Sequence, residues 1–263
     1  MPSYNNNPVI STTNAATGTD AAVVGINNFV AHVPIGFPGA SGGPGVNGES
    51  KTGPGVRGAS GGGNGGLFES KSFEGVRGTS RSADHAGVVG IGEPNDHTKG
   101  VGVYGKGGRL AGLFDGDVEV KGDIRFISGH ADCAEDFDIA EAADPGTVMV
   151  LGEEGALRQS QQAYDKRVAG VISGAGSYKP GMILDKHESQ TNRVPIGLVG
   201  KVYCKVDAQA SPIEIGDLLT TTNTPGHAMK ASDPLQAFGA VIGKALGTLK
   251  EGQGLIPILI ALQ

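Results

Sequence analysis

The chain has 263 residues and a formal net charge of −6, with 46 glycines, two cysteines and no tryptophan. That acidic balance offers no basic surface for a phosphate backbone, so nucleic acid is not an expected partner. Only 5% of the residues are aromatic and 38% hydrophobic, which supplies a large monomeric core thinly and points to cores completed by further copies of the chain.

No stretch approaches the roughly 18 uninterrupted apolar residues that a membrane span needs. The start, MPSYNNNPVIS, lacks a charged n-region and an apolar h-region. The expectation is a chain made in the cytoplasm, with no signal peptide and no membrane span. Cys133 and Cys204 are too few and too far apart for a disulfide framework or a metal site and read as two buried thiols.

Residues 1–35 are rich in Asn, Thr and Ala, with short apolar runs at Ala21 to Ile26 and Phe29 to Ile35. Such a segment orders only against something else and reads as an attachment segment. Gly36, Gly39, Gly42, Gly45 and Gly48 then recur at every third residue, the spacing of a collagen-like triple helix. With only Pro38 and Pro44 to favour polyproline geometry, this reads as a short threefold-compatible joint.

From there to residue 126 runs an internal repeat. Gly45, Gly55, Gly65 and Gly75 stand ten apart, heading GVNGESKTGP, GVRGASGGGN, GGLFESKSFE and GVRGTSRSAD. With insertions the register continues at Gly87 (GVVGIG), Gly102 (GVYGKG) and Gly112 (GLFDGD), running into the alternating Asp117-Val118-Glu119-Val120-Lys121. Ten residues are too few for a helical-hairpin solenoid, and Gly-Val at the head reads as a short strand plus a corner. Each unit carries a Val and an occasional Phe or Leu, so neighbouring units and neighbouring chains must complete its apolar side. Three chains around one axis would suffice, and a homotrimeric shaft is expected. The competing reading is a disordered glycine-rich linker, which needs neither a fixed register nor recurring Val and Phe.

From about Ile127 glycine thins out and β-branched runs appear: Thr147 to Leu151, Val168 to Ile172, Val194 to Val206, Leu218 to Thr222, Ala240 to Ala245 and Leu255 to Leu262. Their bounding Gly and Pro residues predict an all-β barrel or sandwich. A second echo lies inside it. DPGTVMVLGEEGALRQS followed by VAGVISG parallels EIGDLLTTTNTPGHAMKAS followed by GAVIGKALG, each half reading as strand, turn, strand and a further strand. Glu153-Glu154-Gly155 and Asn223-Thr224-Pro225-Gly226 fall at matching turns. The closing Leu255 to Ile260, apolar throughout, predicts a buried last strand whose pairing Pro257 restricts.

The stretch from His130 to the end, beginning HADCAEDFDIAEAADPGTVMVL and including VPIGLVGKVYCKV and IEIGDLLTTTNTPGHAMKA, resembles the C-terminal intramolecular-chaperone domains (peptidase G2-like) of phage appendage and tail-spike proteins. The GVxG repeats resemble the trimeric shafts that commonly precede such domains. The resemblance implies an all-β architecture of three parts: an attachment segment (1–35), a glycine-repeat shaft (36–126) and a trimerising domain (127–263). It also implies a structural tail fibre or spike subunit of a virion or phage-tail-like injection particle, with no metabolic activity and no cofactor. The partners it implies are two further copies, other tail or baseplate proteins through the N-terminus, and a host surface receptor or polysaccharide.

In some members of that family the domain cuts itself off near an Asp-x-Ala-Glu motif, which here reads Asp132-Cys133-Ala134-Glu135. Cleavage would require a carboxylate against the scissile peptide, with burial or a second carboxylate separating acid and base roles. Asp132 and Glu135 are the candidates, with Asp136 and Asp138 beside them. Cutting members carry a residue such as Ser before the Asp, and this chain has Ala131. The bland alternative is a solvated acidic turn. The six histidines never fall at metal-ligand spacing, and no phosphate loop occurs. His130, Asp132 and Cys133 are adjacent but lack a placed oxyanion donor. The aromatic content is too low for a polysaccharide-cleaving spike.

Overall fold

A computed structural model describes residues 54, 56–59, 64–92, 101–127, 129–153, 155–186 and 192–262. The expected attachment segment and the triplet glycines, with Gly45 and Gly55 of the repeat, lie outside the described residues. The chain divides into two units, Met1–Leu113 and Phe114–Gln263.

The protein is all-β. Its strands are β1 (His130–Asp138), β2 (Val148–Leu151), β3 (Leu157–Gln159), β4 (Val168–Ile172), β5 (Lys179–Leu184), β6 (Arg193–Asp207), β7 (Leu218–Thr221), β8 (Ala228–Lys230), β9 (Val241–Ala245) and β10 (Gln253–Ile260). Among the described residues helix is confined to α1 (Pro234–Ala237). Asp233 caps it by accepting from the Leu235 and Gln236 N–H groups, and Pro234 starts it where a missing N–H costs nothing.

The sheet closes on itself twice. β6 pairs antiparallel with β10, β10 with β9, β9 with β7 and β7 with β8, and β8 returns to β6 through the parallel pair Val206 and Ala228. That is a closed five-stranded barrel. The N-terminal half of β6 repeats the scheme: it pairs with β1 and β4, β4 pairs with β2 and β2 with β3. A parallel bridge from Leu157 to Ile139, just past β1, completes this ring. The two barrels are therefore consecutive copies of one plan, sharing the fifteen-residue β6.

The correspondence extends to irregularities. β2 is bulged against β4 between Met149 and Val150, as β7 is against β9 between Leu219 and Thr220. At each bulge stands a glycine, Gly170 or Gly243, where a Cβ would run into the next strand's carbonyl oxygen, that of Gly197 or of Leu259. The matching turns after β2 and β7 hold Gly155 (φ 84°) and Gly226 (φ 70°), left-handed positions that glycine fills without strain.

Each barrel has its own core. Val202, Cys204, Leu219, Ile242, Ile256 and Ile258 fill the second, and Met149, Leu157, Ile172 and Ile196 fill the first. The last strand is not apolar-buried on both sides as its composition suggested: Ile256, Ile258 and Ile260 face the core while Leu255 and Leu259 are exposed. Alternation wins because only one side of the strand faces the barrel interior. Pro257 sits just before the β9 pairing begins at Ile258, so its absent N–H disrupts no ladder bond there. Tyr164 laces the two halves together: its hydroxyl accepts from the backbone N–H groups of Ser232 and Asp233, both at 3.1 Å.

Between described residues from 54 to 127 there is no strand and no backbone–backbone hydrogen bond. Among the described residues of the repeat, the expected short strands do not form within one chain.

A fragment spanning residues 127–263 is expected to melt in one cooperative transition followed by circular dichroism. Ile196→Ala and Ile258→Ala, one in each barrel, should each lower its stability by about 2–5 kcal/mol. Tyr164→Phe, which removes the bridging hydroxyl from two N–H groups that water can still reach, should cost about 0.5–1.5 kcal/mol.

Candidate functional site

The acidic motif is a strand, not a turn. β1 lies between β5, to which it runs parallel, and β6, to which it runs antiparallel. Burial alternates along it: Asp132, Ala134 and Asp136 are buried, Cys133, Glu135 and Phe137 half-buried. The strand period of two therefore places Asp132 and Glu135 on opposite faces. A carboxylate pair that splits acid and base roles has to share one site, and these two do not meet.

Asp132 is 6% exposed, and neither of its oxygens has a hydrogen-bond partner among the described residues. The Ser173 hydroxyl, itself buried, stands beside it without completing hydrogen-bond geometry. Burial pushes the Asp132 carboxyl above its ordinary range, against a smaller lowering influence of that hydroxyl. Gly197 makes room for it: a Cβ there would lie 3.3 Å from Asp132 Oδ2. Above it is a shallow, mainly apolar cleft bordered by Phe126, His130, Met182 and Val199. The arrangement offers a buried carboxyl whose protonated form burial favours, and among the described residues lining the cleft above it there is no second carboxylate.

The rest of the acidic run is tied down by Arg193, whose side chain is 9% exposed. It donates to the Asp136 carbonyl and pairs with Asp185, with Asp138 3.7 Å away. Asp136, also buried, has Lys186 Nζ 3.6 Å from Oδ2. This network fixes where β1 leaves the barrel. Sequence reading singled out neither Ser173 nor Arg193, because their partners lie far away along the chain.

The other reactive groups are occupied or inert. His130 Nδ1 is 2.9 Å from the Pro180 carbonyl, and burial pushes the Cys204 thiol far above the range in which it could ionise at neutral pH. Among the described residues no three His, Cys, Asp or Glu side chains gather as a metal site.

The repeat glycines form the other constellation, and the structure assigns them a spatial register. The last glycine of one Gly-Val-x-Gly unit meets the first of the next: a Cβ on Gly87 would stand 2.8 Å from the Gly78 carbonyl oxygen, and one on Gly102 2.7 Å from that of Gly90. Gly65 lies against Gly58 in the same way, and Gly75 against Phe68, its Cβ position 3.0 Å from the Phe68 carbonyl oxygen. At the following step a Cβ on Gly105 would stand 2.5 Å from the Ala111 carbonyl oxygen. The head position there belongs to Ala111, one residue before the Gly112 at which the sequence register was placed. The large apolar side chains of these units all face outward, from Val76 at 63% exposed to Leu113 at 80%.

No protein-family model matches the chain, and no curated protein does. Among solved structures, the bacteriophage phi29 gene product 12 C-terminal fragment aligns over 49% of this chain and all of its own, at 14% identity and a TM-score of 0.34. The pre-mature phi29 gene product 12 aligns over 56% of this chain and 24% of its own, at 13% identity and a TM-score of 0.37. The base of the phi29 head fibre gp8.5 aligns over 50% of this chain and 90% of its own, at 18% identity and a TM-score of 0.23. This chain is thus similar to two solved forms of gene product 12 and to a head-fibre base of one phage, at scores too low to carry an argument.

Two buried aspartates should answer pH with opposite signs. Asp132 has a raised folded-state pKa, so its contribution is complete below its unfolded value near 3.8 and is lost as pH rises through the folded value. Asp165 accepts three hydrogen bonds from Arg167, whose side chain holds its carboxyl below the usual range. Its contribution is present above 3.8 and is lost as pH falls through the lowered value. Thermal melts across this range should show Asp132→Asn more stable than wild type at pH 7 and equal to it at pH 3. Asp165→Asn should be less stable at pH 7, with a deficit that narrows in acid.

Proposed function

We propose that the protein is a structural subunit of a phage or phage-tail-like appendage, a fibre or spike built from three copies of the chain, and not an enzyme. The observation that carries this reading is the repeat segment. Its described glycines bring successive units into backbone contact, yet among the described residues its Val, Leu and Phe side chains are left in water and no backbone ladder forms. Contiguous exposed apolar surface on this scale marks an interaction site. A segment that is regular and uncovered in one chain is what one strand of an intertwined shaft presents before its partners are added. The double barrel supplies the independently closed body expected of a trimerising end, and the N-terminal segment is assigned to the parent particle, with the other end free to meet a host surface.

The self-cleaving alternative rests on Asp132, whose carboxyl burial holds above its ordinary range. Mass measurement under denaturing conditions separates the two: an intact chain of 26.5 kDa supports the structural reading, and two fragments joined near residue 131 support cleavage.

Light scattering of the intact protein at micromolar concentration is expected to give three times the chain mass; a folded single chain would overturn the proposal. Gly75→Val and Gly102→Val, which drive a β-branched side chain into a neighbouring carbonyl, should lower the trimer fraction and the melting temperature. Arg57→Ala, at an exposed position of the same unit type, should stay within about 0.5 kcal/mol of wild type. A flexible linker would tolerate all three alike.

A further inference from the structure

Aligned by their backbone contacts, the repeat units share a volume rule that the sequence register did not reveal. Units 55–58, 75–78, 87–90 and 102–105 carry Val at the second position and Gly at the fourth. Unit 65–68 reverses this, with Gly66 second and Phe68 fourth, and the sequence of unit 111–114 does the same with Gly112 and Phe114. The reversal is compensated in space. A Cβ built on Gly66 would stand 2.9 Å from Phe68 Cε2 and 3.1 Å from Cζ, so the Phe68 ring occupies the place that the second-position valine fills elsewhere. From Val56 to Val103, each unit therefore puts one bulky apolar group, Val or the Phe68 ring, at one place in its turn.

Nothing in the chain itself imposes that rule. Val56, Phe68, Val76, Val88 and Val103 are between 63% and 76% exposed, and an uncovered position can be left empty or overfilled without penalty. One bulky apolar group at the same place in every turn is a packing constraint, so the body that imposes it has to be a second surface with the same repeat. Further copies of this chain, held in register, are the one occupant that repeats at these intervals.

We propose that these five side chains form a column that packs, layer by layer, against the same column of two further copies, with the Phe68 layer filled by three rings and its neighbours by three valines. The area fits. Burying on the order of 100 Å² for each layer residue and for the adjoining third-position side chains such as Leu67 and Val89 brings each copy to about 800 Å², the scale of a stable specific interface. This inference rests on the threefold reading above and adds to it which residues meet and in what register.

The test is a compensating exchange in the full-length protein, read by the rate of tryptic cleavage at Lys71 and Arg77 under native conditions, with the melting of the barrels as a folding control. Phe68→Gly empties one layer and should speed cleavage by about tenfold. Gly66→Val alone overfills the layer and should speed it as well. The double variant Gly66→Val/Phe68→Gly converts the unit to the Gly-Val-x-Gly type and should return the rate to within about twofold of wild type, an error narrower than the roughly 0.5 kcal/mol expected of neutral changes. If the double variant cleaves as fast as Phe68→Gly, or if no variant differs from wild type, the column is wrong. Light scattering on the same samples keeps the two readings apart: wild type at three chain masses with no rescue overturns the column alone, while wild type at one chain mass overturns the threefold reading as well.

Discussion

Between residues 58 and 111 the backbone passes so close to itself that a methyl group does not fit at the points of contact. Gly78 against Gly87 and Gly90 against Gly102 are the clearest cases, and the missing Cβ atoms are what allow it. Close approach of this kind replaces side-chain packing as the connection between successive units. It also dictates where the side chains can go: with glycines on the inner side of each contact, the valines and phenylalanines are left to face outward. The segment thus spends its smallest residues on contacts within the chain and keeps its apolar ones for contacts with something else.

The C-terminal unit solves the same shortage of large apolar residues by a different route. Two small barrels, each closed by a single parallel pair (Ile139 with Leu157, Val206 with Ala228), need only a handful of Ile, Leu, Met and Val side chains apiece to fill them. Sharing β6 removes a free edge from each, which a small sheet would otherwise have to protect. Bonds such as Val148 N–H to the Gly226 carbonyl and Tyr164 N–H to the Thr221 carbonyl then tie one barrel to the other's turns.

Much of this was legible in the sequence, and the failures have physical causes. The long strands were readable because β-branched runs bounded by Gly and Pro leave few alternatives, and the echo between the two halves corresponded to matched strands, turns and bulges. β1 was not readable as a strand: HADCAEDFD carries an acidic side chain at nearly every second or third place, and only its burial against β5, β6 and Arg193 makes it one. β5 was missed because KPGMIL has both a Pro and a Gly, and its register comes from β1 rather than from its own propensity. In the repeat, the ten-residue period is visible in the sequence itself. The sequence register heads its last unit at Gly112, while the backbone approach from Gly105 falls on Ala111; composition cannot distinguish the head of GLFD from the second position of AGLF. The exchange of Val for Phe between positions became visible only once the Phe68 ring was seen standing over Gly66.

The central claim is that the repeat is closed by other copies of the chain, and amide hydrogen exchange of the intact protein tests it most directly. A lone chain makes no backbone–backbone hydrogen bond between described residues from 54 to 127, and its exposed local bonds, such as Phe73 N–H to Ser70 Oγ and Ser82 N–H to Ser80 Oγ, open readily, so most amides there would exchange fast without a partner chain. The account predicts strong protection of amides between Val76 and Val103, comparable with that of β6 and β10. Free exchange across that stretch, in a sample whose barrels remain protected, would contradict it.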